Sequence, residues 1–398
     1  MTKSFFICSQ LLIAISISFP CIGQAFLQGK IIDGETKEPL PFATVFIDKT
    51  NIGTVTDTVG KFSLPITTEN VDIVMSYVGY ENLIYRLDNV KLSANYIFEL
   101  KPSMTQLEHI QVESKRDESW YANFQVFKDH FLGTTPNGKN CTILNPNVLI
   151  IDFSPKDMIM NVWAKEPLQI ENAGLGYSIQ YVLEKFTYDL RNKRMLYYGY
   201  TFFKNLEGSK SKERAWEKQR MKAYNGSTSH FIRALCNRSL EEEGFNLRRL
   251  YREPNPNYPT PEEQKAVLSS MSESGVTITA SGGNAMNQPK IIERLDTAKV
   301  PYEVLLITQS LENQKLKFEG FFQVVFVGEK EDTAFISENF PFSPRKPTYQ
   351  TSVFSLTVPE TTIENYQINP TDILFEGYWA WEKMGDMLPI NYQHLIGQ

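Results

Sequence analysis

The sequence predicts a mainly β protein, in which a small β-sandwich precedes a larger antiparallel β-rich domain carrying a helical hairpin. Aromatic residues are plentiful, with 26 Phe and 19 Tyr in 398 residues, and such side chains favour the pleated, half-buried setting of strands. Apolar residues recur in short runs of alternating polarity bounded by Gly, Pro, Asn or Asp, the pattern of strands and turns. Near residues 212–240 the period changes to that of helices. A chain of this length holds two or three domains.

Residues 1–25 are a different kind of sequence. Lys3 gives a positive start, Phe5 to Pro20 are free of charge, and Gly23-Gln24-Ala25 place small residues at the −3 and −1 positions of a cleavage site. This is the pattern of a secretory signal peptide, so the fold is sought from residue 26 onward. The apolar run is too short for a retained membrane span. Cys21 keeps a lipoprotein open as the alternative to soluble export, although Pro20 is a poor residue before a lipidated cysteine. The formal charge of −6, or −7 once Lys3 is removed, gives no general affinity for nucleic acid. Of the four cysteines, Cys141 and Cys236 lie beyond the signal. Export permits a disulfide between them, and two buried free thiols are the other outcome.

Residues 26–101 read as short strands. "FLQGKII" stops at Asp33-Gly34, "FATVFI" stops at Asp48-Lys49-Thr50-Asn51, and "GTVTD" and "GKFSL" flank a turn at Asp57-Thr58-Val59-Gly60. "DIVMSYV" breaks at Gly79 and "NYIFEL" closes the set. Strands this short and evenly spaced predict an antiparallel sandwich. Gly34 and Gly60 are expected where turns need positive φ. Gly29-Lys30-Ile31-Ile32-Asp33, Glu38-Pro39-Leu40-Pro41, Ala43-Thr44-Val45, Gly53-Thr54, Thr56-Asp57, Gly60-Lys61-Phe62 and Val78-Gly79-Tyr80 follow a familiar order. In that order they resemble the carboxypeptidase-like regulatory domain, a transthyretin-like or Ig-like sandwich common in Bacteroidota envelope proteins. The resemblance implies a module without catalytic residues.

Residues 102–125 read as a polar connector, and residues 126–398 as the second domain. "NVLIIDF", "DMIMNVW" and "YSIQYVLEKFTYDL" are expected strands, and Arg191-Asn192-Lys193 turn the last into "MLYYGYTFF". A helix from about Lys212 to Tyr224 should stop at Asn225-Gly226. Ser227 or Ser229 should cap a second helix with Phe231, Ile232, Leu235 and Cys236 on one face. Residues 253–290 form a polar excursion in which Thr260-Pro261-Glu262-Glu263 is a capping box. Strands return in "YEVLLITQ", "KFEGFFQVVFV", "SVFSLTV" and "ILFEGYWAWEK". Gly199, Gly320 and Gly377 stand between aromatics, where glycine marks a bend or a close approach. "NFQVFKDHFLGTTPN", "ILNPNVL", "ENAGLGYSIQYVLEKFTYD", "EEGF" and "MLPINY" resemble the C-terminal region of Bacteroidota proteins that carry the regulatory-like domain, a lineage with no activity to lend.

The tests for chemistry are mostly negative. A zinc carboxypeptidase needs His-x-x-Glu and a later His to leave an open metal position. His109, His130, His230 and His394 are followed by "IQV", "FLG", "FIR" and "LIGQ". There is no Gly-x-Ser-x-Gly elbow, no Walker loop and no Gly-x-Gly-x-x-Gly. His230 beside Ser227 and Ser229 is better explained by capping. The sequence therefore assigns no catalytic, metal or cofactor residue. Glu319 and Glu376, on aromatic-rich strands, are the acids that a glycan hydrolase would use.

One interaction signal stands out in the charge pattern. Lys204, Lys210, Lys212, Arg214, Lys218, Arg220 and Lys222 face only Glu207, Glu213 and Glu217 in the same run. This basic helix is the candidate contact for an anionic lipid headgroup, lipopolysaccharide or an acidic envelope protein. The expectation is a non-enzymatic binding or scaffolding protein, peripheral rather than integral, in the periplasm or at the outer membrane. A hydrolase of unrecognised type acting on an envelope polymer or glycan is the second reading, and an outer-membrane β-barrel the third.

Overall fold

The computed structural model describes residues 25–67, 70–88, 95–103, 116–263, 265, 289–308, 314–343 and 345–392. Residues 1–24 of the expected signal segment, His109, His394 and most of the polar excursion lie outside these residues.

Seven strands build the sandwich: β1 (Ala25–Asp33), β2 (Thr44–Ile47), β3 (Gly53–Val55), β4 (Lys61–Ile66), β5 (Val71–Ser76), β6 (Leu83–Leu87) and β7 (Tyr96–Leu100). One sheet runs β4-β1-β7 and the other β3-β2-β5-β6. Alternation along β1 sends Leu27, Gly29, Ile31 and Asp33 inward, where Leu27 and Ile31 meet Val45, Leu64, Ile73 and Leu100. Each such side chain contributes about 1.5–3 kcal/mol when fully buried. Two expectations need correction. The β1–β7 pair is parallel, not antiparallel. Gly60 does take a φ of 77°, but at the first turn Lys37 takes the positive φ, at 62°, and Gly34 does not.

The connector is partly helical. Helix α1 (Glu118–Phe131) starts at Asp117, whose carboxylate accepts the Trp120 N–H at 3.0 Å. Trp120 and Phe124 pack on the core from its first turns, and at its buried end Phe127 and Phe131 stack at 5.1 Å and meet Phe186 and Tyr181 edge-on. The short helix α2 (Pro136–Lys139) follows. A six-stranded sheet then forms from β8 (Cys141–Ile143), β9 (Leu149–Ser154), β10 (Ile159–Ala164), β11 (Leu168–Asn172), β12 (Tyr177–Asp189) and β13 (Arg194–Asn205). β12 pairs with β13 along its whole length, with a register shift between Leu183 and Lys185. Near that shift, a Cβ on Gly199 would lie 2.1 Å from the Val182 carbonyl, so this glycine marks a close approach.

Helices α3 (Lys210–Tyr224) and α4 (Thr228–Cys236) form the expected hairpin. Gly226 takes a φ of 76° after α3, and Ser227 caps α4 by accepting the His230 N–H at 3.2 Å. A second sheet runs β15-β14-β18-β19-β21, from β14 (Phe245–Pro254), β15 (Ile291–Leu295), β18 (Phe321–Lys330), β19 (Tyr349–Leu356) and β21 (Ile373–Gly377). A small sheet joins β16 (Leu306–Thr308), β17 (Gln314–Leu316) and β20 (Thr361–Ile363). Helix α4 packs on the second sheet through Phe231, which meets Phe245, Phe354 and Trp379. Two short helices, α5 (Thr333–Asn339) and α6 (Tyr378–Trp381), complete the domain. α6 replaces the C-terminal half of an expected strand, because Gly377 turns the chain at a φ of 74°. The capping box at Thr260 and Glu263 is present, while its helix beyond residue 265 lies outside the described residues.

The sandwich hooks onto the exposed edge of β13. The Lys49 N–H donates to the Thr201 carbonyl at 2.7 Å, the Phe203 N–H donates to the Thr50 carbonyl at 3.0 Å, and the Thr201 N–H donates to the Asp48 carboxylate at 2.7 Å. An open edge strand invites pairing with other chains, and here Asp48 to Thr50 cover it. Phe46 stacks on Phe202 at 5.1 Å, and with Val74 and Val182 they form a buried seam between the two domains.

Candidate functional site

Helix α3 is mounted on the first sheet by two side chains. Trp216 is buried against Gly176 and Gly208, where a Cβ would meet its ring at 2.2 and 2.9 Å, and its Nε1 donates to the Ala173 carbonyl at 2.9 Å. Arg220 lies over the Tyr177 ring at 4.0 Å and donates to the carbonyls of Leu175 at 2.7 Å and Gly176 at 3.0 Å. Its side chain is only 13% exposed. Arg220, expected in an anionic contact, is therefore a fastener. Its planar fork suits two carbonyls at once, as a lysine head would not.

The other five cations of α3 are exposed and divide into two sets. Lys212 lies over the Trp216 ring at 4.9 Å. Lys210, Arg214, Lys218 and Lys222 follow one another at steps of four residues, each step advancing about 40° around an α-helix. They make one stripe on the crest opposite Trp216 and Ala223, the two buried residues of α3. Lys222 reaches Asp332 at 3.7 Å. Among the described residues, Lys210, Arg214 and Lys218 have no hydrogen-bond or ion-pair partner. Each like-charged neighbour four residues away weakens a helix by about 0.2–0.5 kcal/mol. The fold tolerates three such pairs along this crest. The four-residue spacing was visible in the sequence and escaped a reading that counted charge without placing it on the helix.

A groove of about 560 Å³ runs along the flank of the same helix, lined by Leu206, Glu213, Glu217 and Arg220 with Lys210 and Arg214 on its side. Its charges are partly paired within it. Glu217 lies 4.0 Å from Arg220 and accepts the Tyr392 hydroxyl at 2.8 Å. Lys210 and Arg214 belong to both features, standing where the groove meets the crest.

The remaining candidates have structural roles. Cys141 and Cys236, weighed as a disulfide, are free thiols in two separate cores. Burial pushes them up to about 12 and about 11, so both stay protonated and unreactive near neutral pH. His230 is buried, its Nδ1 accepting the Gly226 N–H and its Nε2 lying 3.1 Å from Glu243. His130 packs edge-on to Tyr188 at 4.0 Å, and burial, then Lys383, lowers its pKa. Glu376 takes both nitrogens of Arg252, at 2.7 and 2.8 Å, so it is already committed to an ion pair. Among the described residues, no three His, Cys, Asp or Glu side chains are grouped to hold a metal ion.

A set of titratable groups missed in the sequence sits where the C-terminal segment ties the domain together. Asp386 accepts Thr135 at 2.8 Å and Asn137 at 2.9 Å, while the Gly385 carbonyl accepts Asn172 at 2.8 Å. Burial, then the charges of Asp386 and Glu329, holds Glu382 well above the carboxylate range, and burial brings Lys383 down to about 8. Only tertiary packing gathers these groups; their spacing in "EKMGD" matches no catalytic pattern.

Residues 27–112 match the family model of the CarboxypepD_reg-like domain. The N-terminal sandwich is thus a regulatory-like domain, a non-catalytic module, joined here to a larger β domain. No curated protein matches the chain. A crystal structure named "putative membrane-associated protein of unknown function" from Bacteroides fragilis is similar at 12% identity, over 89% of this chain and 93% of its own, with a TM-score of 0.17. A 9R-lipoxygenase from Cyanothece is similar at 9% identity, over 57% of this chain and 49% of its own, with a TM-score of 0.14. At these scores neither likeness informs the fold or the function. No helix among the described residues is long and apolar enough to cross a membrane, and every sheet in them is open.

Proposed function

We propose that this chain is a non-enzymatic binding or scaffolding protein of the cell envelope, exported by its first 25 residues and held to an anionic partner by the crest of α3. The observation that carries the reading is the row of Lys210, Arg214 and Lys218, exposed on a helix fixed from behind by Trp216 and Arg220. A helix fastened this way presents its cations in fixed positions, which favours charge-complementary association. The regulatory-like domain supports the same reading as a second folded surface, docked on β13 by Asp48 and Thr50.

The test is association of the mature protein with isolated envelope membranes, in wild type and in the Lys210→Glu/Arg214→Glu/Lys218→Glu variant. Wild type should sediment with the envelope and be released by raised salt, and the variant should stay soluble. Equal sedimentation of both proteins would defeat the proposal. Catalytic turnover of an envelope polymer by pure protein would favour the hydrolase instead.

A further inference from the structure

The chain leaving α5 carries an unusual surface. Phe342 is 98% exposed, Phe340 and Tyr349 are partly exposed, and Arg345 and Lys346 accompany them with no acidic residue from Phe340 to Tyr349. The base of this segment is pinned from below. Buried Glu331 receives Arg345 at 2.5 and 2.8 Å and the Thr348 N–H and hydroxyl at 3.1 and 2.9 Å. The neighbouring Asp332 caps α5 and also receives Lys222, the last cation of the α3 crest. The crest and the aromatic segment therefore meet at Glu331 and Asp332.

Resting on the reading above, we infer that these two features form one surface that docks on an anionic lipid bilayer. The cations of the crest would lie among the headgroup phosphates and Phe342 would enter the acyl boundary. A polar helix with no apolar outer face stays at headgroup level, whereas a nearly fully exposed phenyl ring beside cations suits the interface below it. An acidic protein would match the charge of the crest, but it gives no reason for a nearly fully exposed phenylalanine on a pinned base. Pinning also means that little conformational freedom is lost when the ring inserts.

Binding of the mature protein to phosphatidylglycerol-containing vesicles, to phosphatidylcholine vesicles and to soluble polyglutamate tests the inference. Wild type should prefer the phosphatidylglycerol vesicles over both. The triple reversal should weaken that binding by about 100-fold or more, on a scale of roughly one fivefold step per cation near the surface. Phe342→Ser should weaken it by about tenfold, the scale of withdrawing one phenyl ring from an apolar medium. Its residual binding should depend more steeply on salt. The Phe342→Trp variant, bound to vesicles of brominated lipid, should lose fluorescence beyond the quenching of wild type. Unchanged vesicle binding by Phe342→Ser, or equal binding to polyglutamate and vesicles, would overturn the bilayer inference and leave the anionic-partner reading standing. If the triple reversal left envelope sedimentation intact, both would fall.

Discussion

Helices α3 and α4 are consecutive, and their burial is opposite. α4 buries six of its nine residues and is part of the second core. α3 buries two of its fifteen, and is held by a capping serine, one tryptophan and one arginine. In α4 the sequence follows from packing: remove an apolar side chain and the core opens. In α3 packing explains Trp216, Ala223 and Arg220 and leaves the row of cations without a folding role. A feature that weakens its own helix and serves no core is best read by what it contacts outside the chain.

The sharpest way to break this contrast is to strike α4. Phe231→Ala should destabilise the protein by about 3–5 kcal/mol in urea unfolding, through lost burial and the cavity left among Phe245, Phe354 and Trp379. A loss under about 1 kcal/mol would show that α4 is not part of the core. Trp216→Ala should cost about 2–4 kcal/mol, with a different signature: hydrogen exchange should accelerate in α3 while α4 stays protected. It should also weaken anionic binding although every crest cation remains.

The hook on β13 predicts a smaller, pH-dependent effect. Burial pushes Asp48 up to about 6 from an ordinary 3.8. Its neighbours are Lys49 and Asp72 on the sandwich and Thr201, Tyr181 and Tyr200 on the first sheet. The folded state therefore binds this proton more tightly than the unfolded chain does. The associated stability is fully present below about 3.8 and is lost as pH rises through about 6. Asp48→Asn keeps an oxygen to accept the Thr201 N–H and removes the charge. It should stabilise the protein by about 1–3 kcal/mol at pH 7.5 and by little at pH 4, read as the difference between the two pH–stability curves. The opposite sign would mean that the Lys49 pair outweighs burial.

Much of this was legible in residue patterns. The strands of the sandwich, the long β12–β13 hairpin and both hairpin helices follow from period and caps, because alternation and capping are local. α1 straddles the expected domain boundary, so its start reads as connector although Trp120, Phe124, Phe127 and Phe131 fall at helical spacing and pack on the core. The parallel β1–β7 pair was hidden because strand direction depends on which edges meet. For the candidate site, sequence located the basic helix but could not separate Arg220 from its neighbours. That distinction depends on the carbonyls of Leu175 and Gly176, about forty-five residues away. The link between Lys222 and the aromatic segment after α5 is likewise a tertiary contact.

The smallest expected stability effect is the most discriminating. At three- and four-residue spacing along α3, Lys218 has only Arg214, Ala215, Met221 and Lys222 as neighbours. Lys218→Glu therefore replaces two repulsive pairs with two attractive ones and should stabilise the protein by about 0.8–2 kcal/mol. Melting and envelope association of this single variant, read on the same sample, put the crest to its most direct trial. A slightly higher melting temperature together with weakened association is the predicted result. A higher melting temperature with undiminished association would show that the row of cations contacts nothing.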